Sequence, residues 1–213
     1  MAVQALQKLC WLGHDSFLYE GPPTIYFDPW KLPKQDLPEA DIVLVSHEHG
    51  DHCSPADVKR VSGSRTVIIA SQTAAPNLRG DVRVVRPGDT VVIGQVTIEA
   101  VPAYNIDKFR SPGVPFHPKS TLHNGYVVTI GGERIYFAGD TDHIPEMASI
   151  QCDVALLPVS GTYVMTAQEA AEAAKEIGPQ VAVPMHYGAG VVGTRSDAEL
   201  FRDLYGGQVF LYE

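Results

Sequence analysis

Ser46-His47-Glu48-His49-Gly50-Asp51-His52 places three of the chain's eight histidines and an aspartate within six consecutive positions. Imidazole nitrogens and carboxylate oxygens together bind zinc, manganese or iron, provided the rings are neutral and a lone pair is free. An ordinary polar loop does not concentrate histidine in this way, so His47, His49, Asp51 and His52 are the first candidate metal ligands.

The neighbouring residues explain how such a cluster is aimed. Asp41-Ile42-Val43-Leu44-Val45 is a β-branched apolar run and predicts a buried strand. Ser54-Pro55-Ala56-Asp57 has the order of a helix start, with Ser54 as N-cap, Pro55 at the first helical position and Asp57 in the first turn. The four candidates therefore fall on a tight loop between a strand end and a helix N-terminus. The same placement recurs downstream. Asp140 follows the strand Glu133 to Phe137, and His186 follows Val181-Ala182-Val183-Pro184. Asp28 ends the strand Thr24 to Phe27, where it either accepts a hydrogen bond from a ligand histidine and fixes its tautomer or serves as a plain turn residue. Asp142 has the same two readings, support for the site or helix N-capping. His14 reads as a hairpin-turn residue and stays outside the ligand set, and Cys53 reads as small buried filler.

From Pro102 to Asn124 the strand pattern dissolves into a long loop, and structureless loops of that length inside a domain are usually functional. It carries His117 and His123 as further histidines, and Lys108, Arg110 and Lys119 as cations for an anionic group such as phosphate or carboxylate. Trp30, Tyr163 and His143 complete the residues that could meet a substrate or leaving group.

The remaining chain reads as scaffold. Leu9 to Leu12, Ser16 to Tyr19 and Thr24 to Phe27 form a meander, followed by a helix from Pro55 and a strand Thr66 to Ala70. A short helix over Gln72 to Leu78, strands at 82–85, 90–93 and 96–101, and a hairpin through Gly131-Gly132 come next. Thr166 to Glu169 is a capping box opening a helix to Ile177 that Gly178-Pro179 stops, and Ser196 to Glu199 is a second box opening the last helix before a final strand. This order predicts an α/β (α+β) architecture in which two sheets pack face to face with helices outside.

Composition bounds the function. With 45% hydrophobic and 19% charged residues the 213-residue chain is an ordinary globular protein, expected as one domain spanning 1–213. A formal charge of −9 disfavours an electrostatic grip on nucleic acid or anionic membrane, which leaves a small molecule as the expected partner and a homo-oligomer open. Three scattered cysteines do not make a disulfide framework, no apolar run reaches membrane-spanning length, and Met1 to Lys8 lacks a signal-peptide pattern, so a cytoplasmic location is expected.

His-x-His-x-Asp-His after an apolar strand resembles the signature of the metallo-β-lactamase superfamily. Gly13-His14-Asp15-Ser16, Phe27-Asp28-Pro29, Ala138-Gly139-Asp140-Thr141-Asp142 and Pro184-Met185-His186-Tyr187 follow in the family's order. The chain resembles the single-domain branch that includes L-ascorbate-6-phosphate lactonase and N-acyl phosphatidylethanolamine phospholipase D. The resemblance implies a four-layer αββα sandwich of two mixed sheets and two divalent ions, zinc first, with manganese or iron as alternatives. It assigns His47, His49 and His117 to one ion, Asp51, His52 and His186 to the other, and Asp140 as the bridge. Asp51 and Asp140 would thereby act in catalysis, which would use a shared hydroxide on an ester, lactone or phosphodiester. The chain departs from the family where a ligand histidine usually follows the strand, because Tyr104-Asn105 stands there. Either His117, stiffened by Pro118 within Phe116-His117-Pro118-Lys119, or His123 supplies the missing ligand; otherwise Asn105 marks a degraded site in a metal-binding scaffold or sensor. A redox di-iron protein would want an acidic residue in place of His49, and a nucleic-acid processing enzyme would need an inserted domain.

Overall fold

The computed structural model describes residues 3–213; Met1 and Ala2, the start of the stretch read for a signal peptide, lie outside the described residues. After helix α1 (Gln4–Lys8), strands β1 (Leu9–Gly13), β2 (Ser16–Tyr19), β3 (Ile25–Phe27), β4 (Ala40–Val45), β5 (Ser62–Ala70) and β6 (Asp81–Val84) form the first sheet in chain order. Its first three strands are antiparallel and β3 to β6 are parallel. Then come β7 (Thr90–Ile93), β8 (Val96–Ala103), a small hairpin of β9 (Phe109–Ser111) and β10 (Val114–Pro115), β11 (His123–Ile130), β12 (Glu133–Phe137), β13 (Val154–Pro158) and β14 (Val181–Met185). The second sheet has the order β14-β13-β12-β11-β8-β7, antiparallel from β7 to β12 and parallel from β12 to β14. Both sheets are thus mixed.

Side-chain alternation distributes the apolar residues of the first sheet over two faces. Phe17, Ile25, Phe27, Ile42, Leu44 and Ile69 face the second sheet, while Leu18, Tyr26, Val43, Val45, Ile68 and Ala70 face helix α2 (Pro55–Val61). Burial on both faces is why these strands read as continuous apolar runs rather than alternating ones. Phe27 and Phe137 join the sheets with ring centroids 5.4 Å apart, and truncating either would cost about 3–5 kcal/mol. Helices α3 (Ala167–Ile177) and α4 (Arg195–Tyr205) cover the outer face of the second sheet through alanines 170, 171, 173 and 174 and Phe201. The layers are those of the expected αββα sandwich.

Several local expectations are corrected. Gln72 to Leu78 forms only a 3-10 turn over Ala75–Asn77, because Pro76 has no N–H to donate within an α-helix. The last helix opens with Thr194 and Asp197 as its capping box, two residues ahead of Ser196 and Glu199; the shorter Asp197 carboxylate reaches the Thr194 N–H at 2.7 Å. The final strand reduces to a single parallel bridge from Val209 to Ala182. The long loop contains the β9–β10 hairpin and a 3-10 turn at Lys119–Thr121, and His123 already belongs to β11. No helix among the described residues is long and apolar enough to cross a membrane.

The topology matters for chemistry because β1, β3, β4, β8, β12, β13 and β14 all end at one edge of the sandwich, where carboxyl ends of strands in open sheets commonly form crevices.

Candidate metal centre

That edge collects the candidate residues from six strand ends or loops. The turn after β1 brings His14 and Asp15; β3 ends at Asp28; the β4–α2 loop carries His47, His49, Asp51 and His52. Asp140 follows β12, Ser160 follows β13, and His186 follows β14. His14, Asp28 and His186 hold φ of 54°, 40° and 62°, a left-handed backbone that non-glycine residues rarely adopt. Such strain concentrates where side chains must be aimed. Gly139 is required beside Asp140: its φ is +64°, and a Cβ there would meet the Asn124 carbonyl at 2.9 Å.

Two histidine sets face opposite oxygens of one carboxylate. Asp140 Oδ2 lies 3.3 Å from His117 Nε2 and 3.9 Å from His47 Nε2. Asp140 Oδ1 lies 3.2 Å from His52 Nε2 and 3.5 Å from His186 Nε2. His49 joins the first set, with its Nδ1 3.2 Å from His117 Nε2. Single donor atoms of His47, His49, His117 and Asp140 all lie within 4.8 Å of one another, as do those of His14, Asp51, His52 and His186. His14, read from the sequence as a plain turn residue, is therefore fully buried in the site, with Nε2 3.2 Å from Asp51 Oδ2. A further group, Asp15 with His52, Asp140 and His186, meets the same distance. His123 does not join these sets; it stacks on His47 and approaches Glu48 Oε2 at 3.1 Å.

These donor atoms are otherwise unsatisfied. His47 Nε2, His52 Nε2, His186 Nε2, Asp140 Oδ1 and both Asp15 oxygens are buried without a hydrogen-bond partner among the described residues. Each such orphan costs about 1–3 kcal/mol. Divalent cations held by these nitrogens and oxygens would satisfy them together, so the residues present fit the ions that the resemblance implies.

The other end of each ring is fixed by a partner. Asp28 accepts from His52 Nδ1 at 2.8 Å, from the Ser46 N–H at 2.7 Å and from Ser46 Oγ at 2.5 Å. The Ser46 hydroxyl also sits 2.9 Å from His47 Nδ1, and Ser160 Oγ sits 2.7 Å from His186 Nδ1. Asn105, in the position where the family usually has a ligand, holds His117 instead. Its Oδ1 accepts from the His117 backbone N–H at 2.8 Å and from Nδ1 at 2.9 Å, and its Nδ2 donates to Asp142 Oδ1 and the Tyr163 carbonyl, both at 2.9 Å. Asp142 accepts also from the Ile106 and Asp107 N–H groups, so it pins the loop rather than capping a helix. Each ring is thereby left with its second nitrogen aimed inward.

Electrostatics divide the histidines. Burial holds His47 well below its ordinary value and lowers His117 to about 4, which keeps both neutral. Burial also opposes the charge of His52 and His186, but Asp140, assisted by Asp28 for His52 and by Asp15 for His186, overrides it. His52 is raised well above its ordinary value and His186 to about 9. Burial likewise pushes Asp140 upward, and the same two rings outweigh it and hold the carboxyl well below its ordinary value.

A cavity of about 480 Å³ opens above the cluster, with His49, Asp51, His117 and Asp140 on its floor and Arg110, Phe116, Tyr163 and Val191 on its walls. Phe116 and Tyr163 pack edge to face, with centroids 4.7 Å apart. Arg110 donates to the Phe116 carbonyl at 3.0 Å and forms no ion pair among the described residues. Lys119 is corrected: it lies outside this wall, paired with Glu146 Oε1 at 2.8 Å, because that acid claims its ammonium. Lys108 is similarly tied to Glu169 at 2.9 Å. His143 pairs with Glu176 away from the cavity, and Trp30 packs near His14. Sequence reasoning set His14 aside and missed Asp15 and Ser160. The one available signal was the polar run His14-Asp15-Ser16 between two apolar strands.

Comparison with known proteins bears on the same features. Residues 8–186 match the β-lactamase superfamily domain. The chain is 34% identical over 186 residues to a UPF0173 metal-dependent hydrolase of Methanoculleus marisnigri, covering 84% of this chain and 80% of that one. It is 36% identical over 202 residues to the UPF0173 metal-dependent hydrolase TK0141 of Thermococcus kodakarensis, covering 84% of each. A crystal structure of a candidate metal-dependent hydrolase from Parabacteroides distasonis superposes with a TM-score of 0.83 at 36% identity, over 96% of this chain and 92% of that one.

Proposed function

The chain belongs to the UPF0173 metal-dependent hydrolases of the metallo-β-lactamase superfamily, and we propose that it uses two divalent ions, zinc first, to hydrolyse an ester, lactone or phosphodiester bond in a small anionic substrate. The observation that carries this reading is Asp140, whose two oxygens face two separate histidine sets at 3.2 to 3.9 Å. A carboxylate so placed is suited to bridge two ions. His47, His49 and His117 would hold one, and Asp51, His52 and His186 the other. When bound, such ions acidify water and polarise the bond under attack.

The chain's own residues supply the rest. Asp28, Ser46, Ser160 and Asn105 keep the ligand rings in orientation. Phe116, Tyr163 and Val191 shield one side of the cavity and offer an apolar surface to the body of the substrate. Arg110 is the one loop cation of the three considered that lines the cavity without a carboxylate partner, which suits a phosphate or carboxylate on the substrate. Lactone and phosphodiester bonds enter the proposal as what the sequence resemblance implies. Asn105, the sole encouragement for a non-hydrolytic scaffold, is occupied in holding His117, which favours the hydrolase reading.

The test is a screen of metal-loaded protein against an aryl ester, a lactone and bis(4-nitrophenyl) phosphate, with and without chelator, for wild type and Asp140→Asn. Turnover of at least one class is expected, abolished by chelator, restored by metal and reduced at least a hundredfold in the variant. Protein that retains its ions and turns over none of them would favour the scaffold.

A further inference from the structure

Asp15 is fully buried, yet neither of its oxygens has a hydrogen-bond partner among the described residues. The contrast with the other two supporting aspartates is sharp. Asp28 accepts three hydrogen bonds and Asp142 accepts three, each from backbone N–H groups and side chains. A buried aspartate that serves the fold is saturated in this way. Asp15 Oδ2 instead faces ring nitrogens, 3.5 Å from His52 Nε2, 3.8 Å from His14 Nε2 and 3.9 Å from His186 Nε2. Two of those nitrogens, His52 Nε2 and His186 Nε2, are themselves orphaned.

The turn that presents Asp15 is held firmly. Ser16 Oγ donates to the Asp28 carbonyl at 2.6 Å and accepts from the Trp30 N–H at 2.9 Å, while the His14 carbonyl accepts from the His186 N–H at 3.2 Å. These contacts fix the backbone on either side of Asp15 and so hold the residue beside the rings. Burying a carboxylate costs several kcal/mol unless cations compensate it; among the described residues no lysine or arginine pairs with it, and the ring nitrogens that face it stand 3.5 to 3.9 Å away, beyond hydrogen-bond contact.

We propose that Asp15 is a ligand of the second ion, making that site rich in carboxylate and suited to a harder cation, manganese or iron in the divalent state, beside a zinc in the first. The two sites differ in donor chemistry on this assignment. The first has the imidazoles of His47, His49 and His117 with one oxygen of Asp140. The second draws on Asp15 and Asp140 with His52 and His186, joined by Asp51, whose donor atom lies within 4.8 Å of those of the same two rings. Carboxylate oxygen favours manganese and iron relative to a nitrogen-dominated set, which favours zinc. The inference rests on the binuclear reading above and specifies one half of it.

The test uses whole protein stripped with chelator, given one equivalent of zinc and then titrated with Mn(II), followed by electron paramagnetic resonance, for wild type and Asp15→Asn. Wild type is expected to take up about one Mn(II), and the isosteric variant to bind it at least roughly tenfold more weakly with its zinc retained, since even outer partners of ligands are worth 10–100-fold. Urea unfolding of the metal-free proteins separates a ligand from a structural residue: metal-free Asp15→Asn is expected to be at least as stable as metal-free wild type. Mn(II) affinity within twofold of wild type, or a variant whose only defect is instability without metal, would overturn the inference. Wild type alone gives an independent reading should the variant not fold. Mn(II) added to the stripped protein should fill one site at least tenfold more tightly than the other, and equal affinities would overturn the assignment. Wild type that holds zinc but no Mn(II) would sink this inference alone, whereas wild type that binds no ion would sink the binuclear reading itself.

Discussion

The side chain of Asn105 accepts hydrogen bonds from both the backbone N–H and the Nδ1 of His117, at 2.8 and 2.9 Å. With Nδ2 donating to Asp142 and to the Tyr163 carbonyl, all hydrogen-bonding positions of this amide are used, and its orientation is set by the network. The proton on His117 is thereby placed on Nδ1, leaving Nε2 to face His49 and Asp140.

Removing that restraint should loosen the first ion site without unfolding the protein. Asn105→Ala is expected to weaken one of two bound ions by roughly 10–100-fold, measured by competition with a chelating dye. Asn105→Asp would set two carboxylates against each other, and adding Asp142→Asn should recover part of the loss. Affinity unchanged in Asn105→Ala would mean that His117 is positioned by its flanking prolines alone.

Asp28 plays the corresponding part for His52. Asp28→Ala strands three donors, at roughly 1–3 kcal/mol each when they remain buried. Urea unfolding should show a loss of several kcal/mol in metal-free protein. A loss under about 1 kcal/mol would indicate that water replaces the carboxylate.

Gly139→Ala tests the backbone beside the bridge. A Cβ at φ +64° costs about 1–2 kcal/mol, before the approach of 2.9 Å to the Asn124 carbonyl is counted. Lower thermal stability together with weakened binding of both ions is expected, because Asp140 shifts with it. Normal metal content in a destabilised variant would limit Gly139 to the fold.

Metal binding should release protons. Burial opposes charge on His186, but Asp140 and Asp15 raise it to about 9, and His52 is also raised, so both rings hold a proton in the metal-free protein at neutral pH. A ligand ring must be neutral, so affinity for the second ion should climb with pH until about 9 and then level. The same raised values mean that the ion pairs of the metal-free fold contribute fully below the unfolded histidine value and fade as pH rises through about 9. Calorimetry in two buffers of different ionisation enthalpy measures the release. Affinity that is flat from neutral pH to about 9 would contradict the assignment of these rings as ligands.

Much of this edge was legible from local pattern. His47 to His52 cluster in sequence, and Asp28, Asp140 and His186 each follow an apolar run, so periodicity alone marks them as strand-end residues. The layers followed for the same reason, since continuous apolar runs imply strands buried on both faces. What local pattern does not carry is convergence. His14 and Asp15 meet His186 only because the end of β1 is brought beside the end of β14 when the sheets close, and no spacing along the chain records that. Lys119 and Arg110 look equivalent in the loop, yet Glu146 binds one and leaves the other at the cavity, a distinction set by a residue 27 positions away.

The central claim, two ions bridged by Asp140 with His117 on one of them, is tested most directly by metal content per chain. The comparison needs wild type and His117→Ala purified without chelator. Close to two ions in the wild type and about one in the variant are predicted. One ion or fewer in the wild type, unchanged by the substitution, would contradict it.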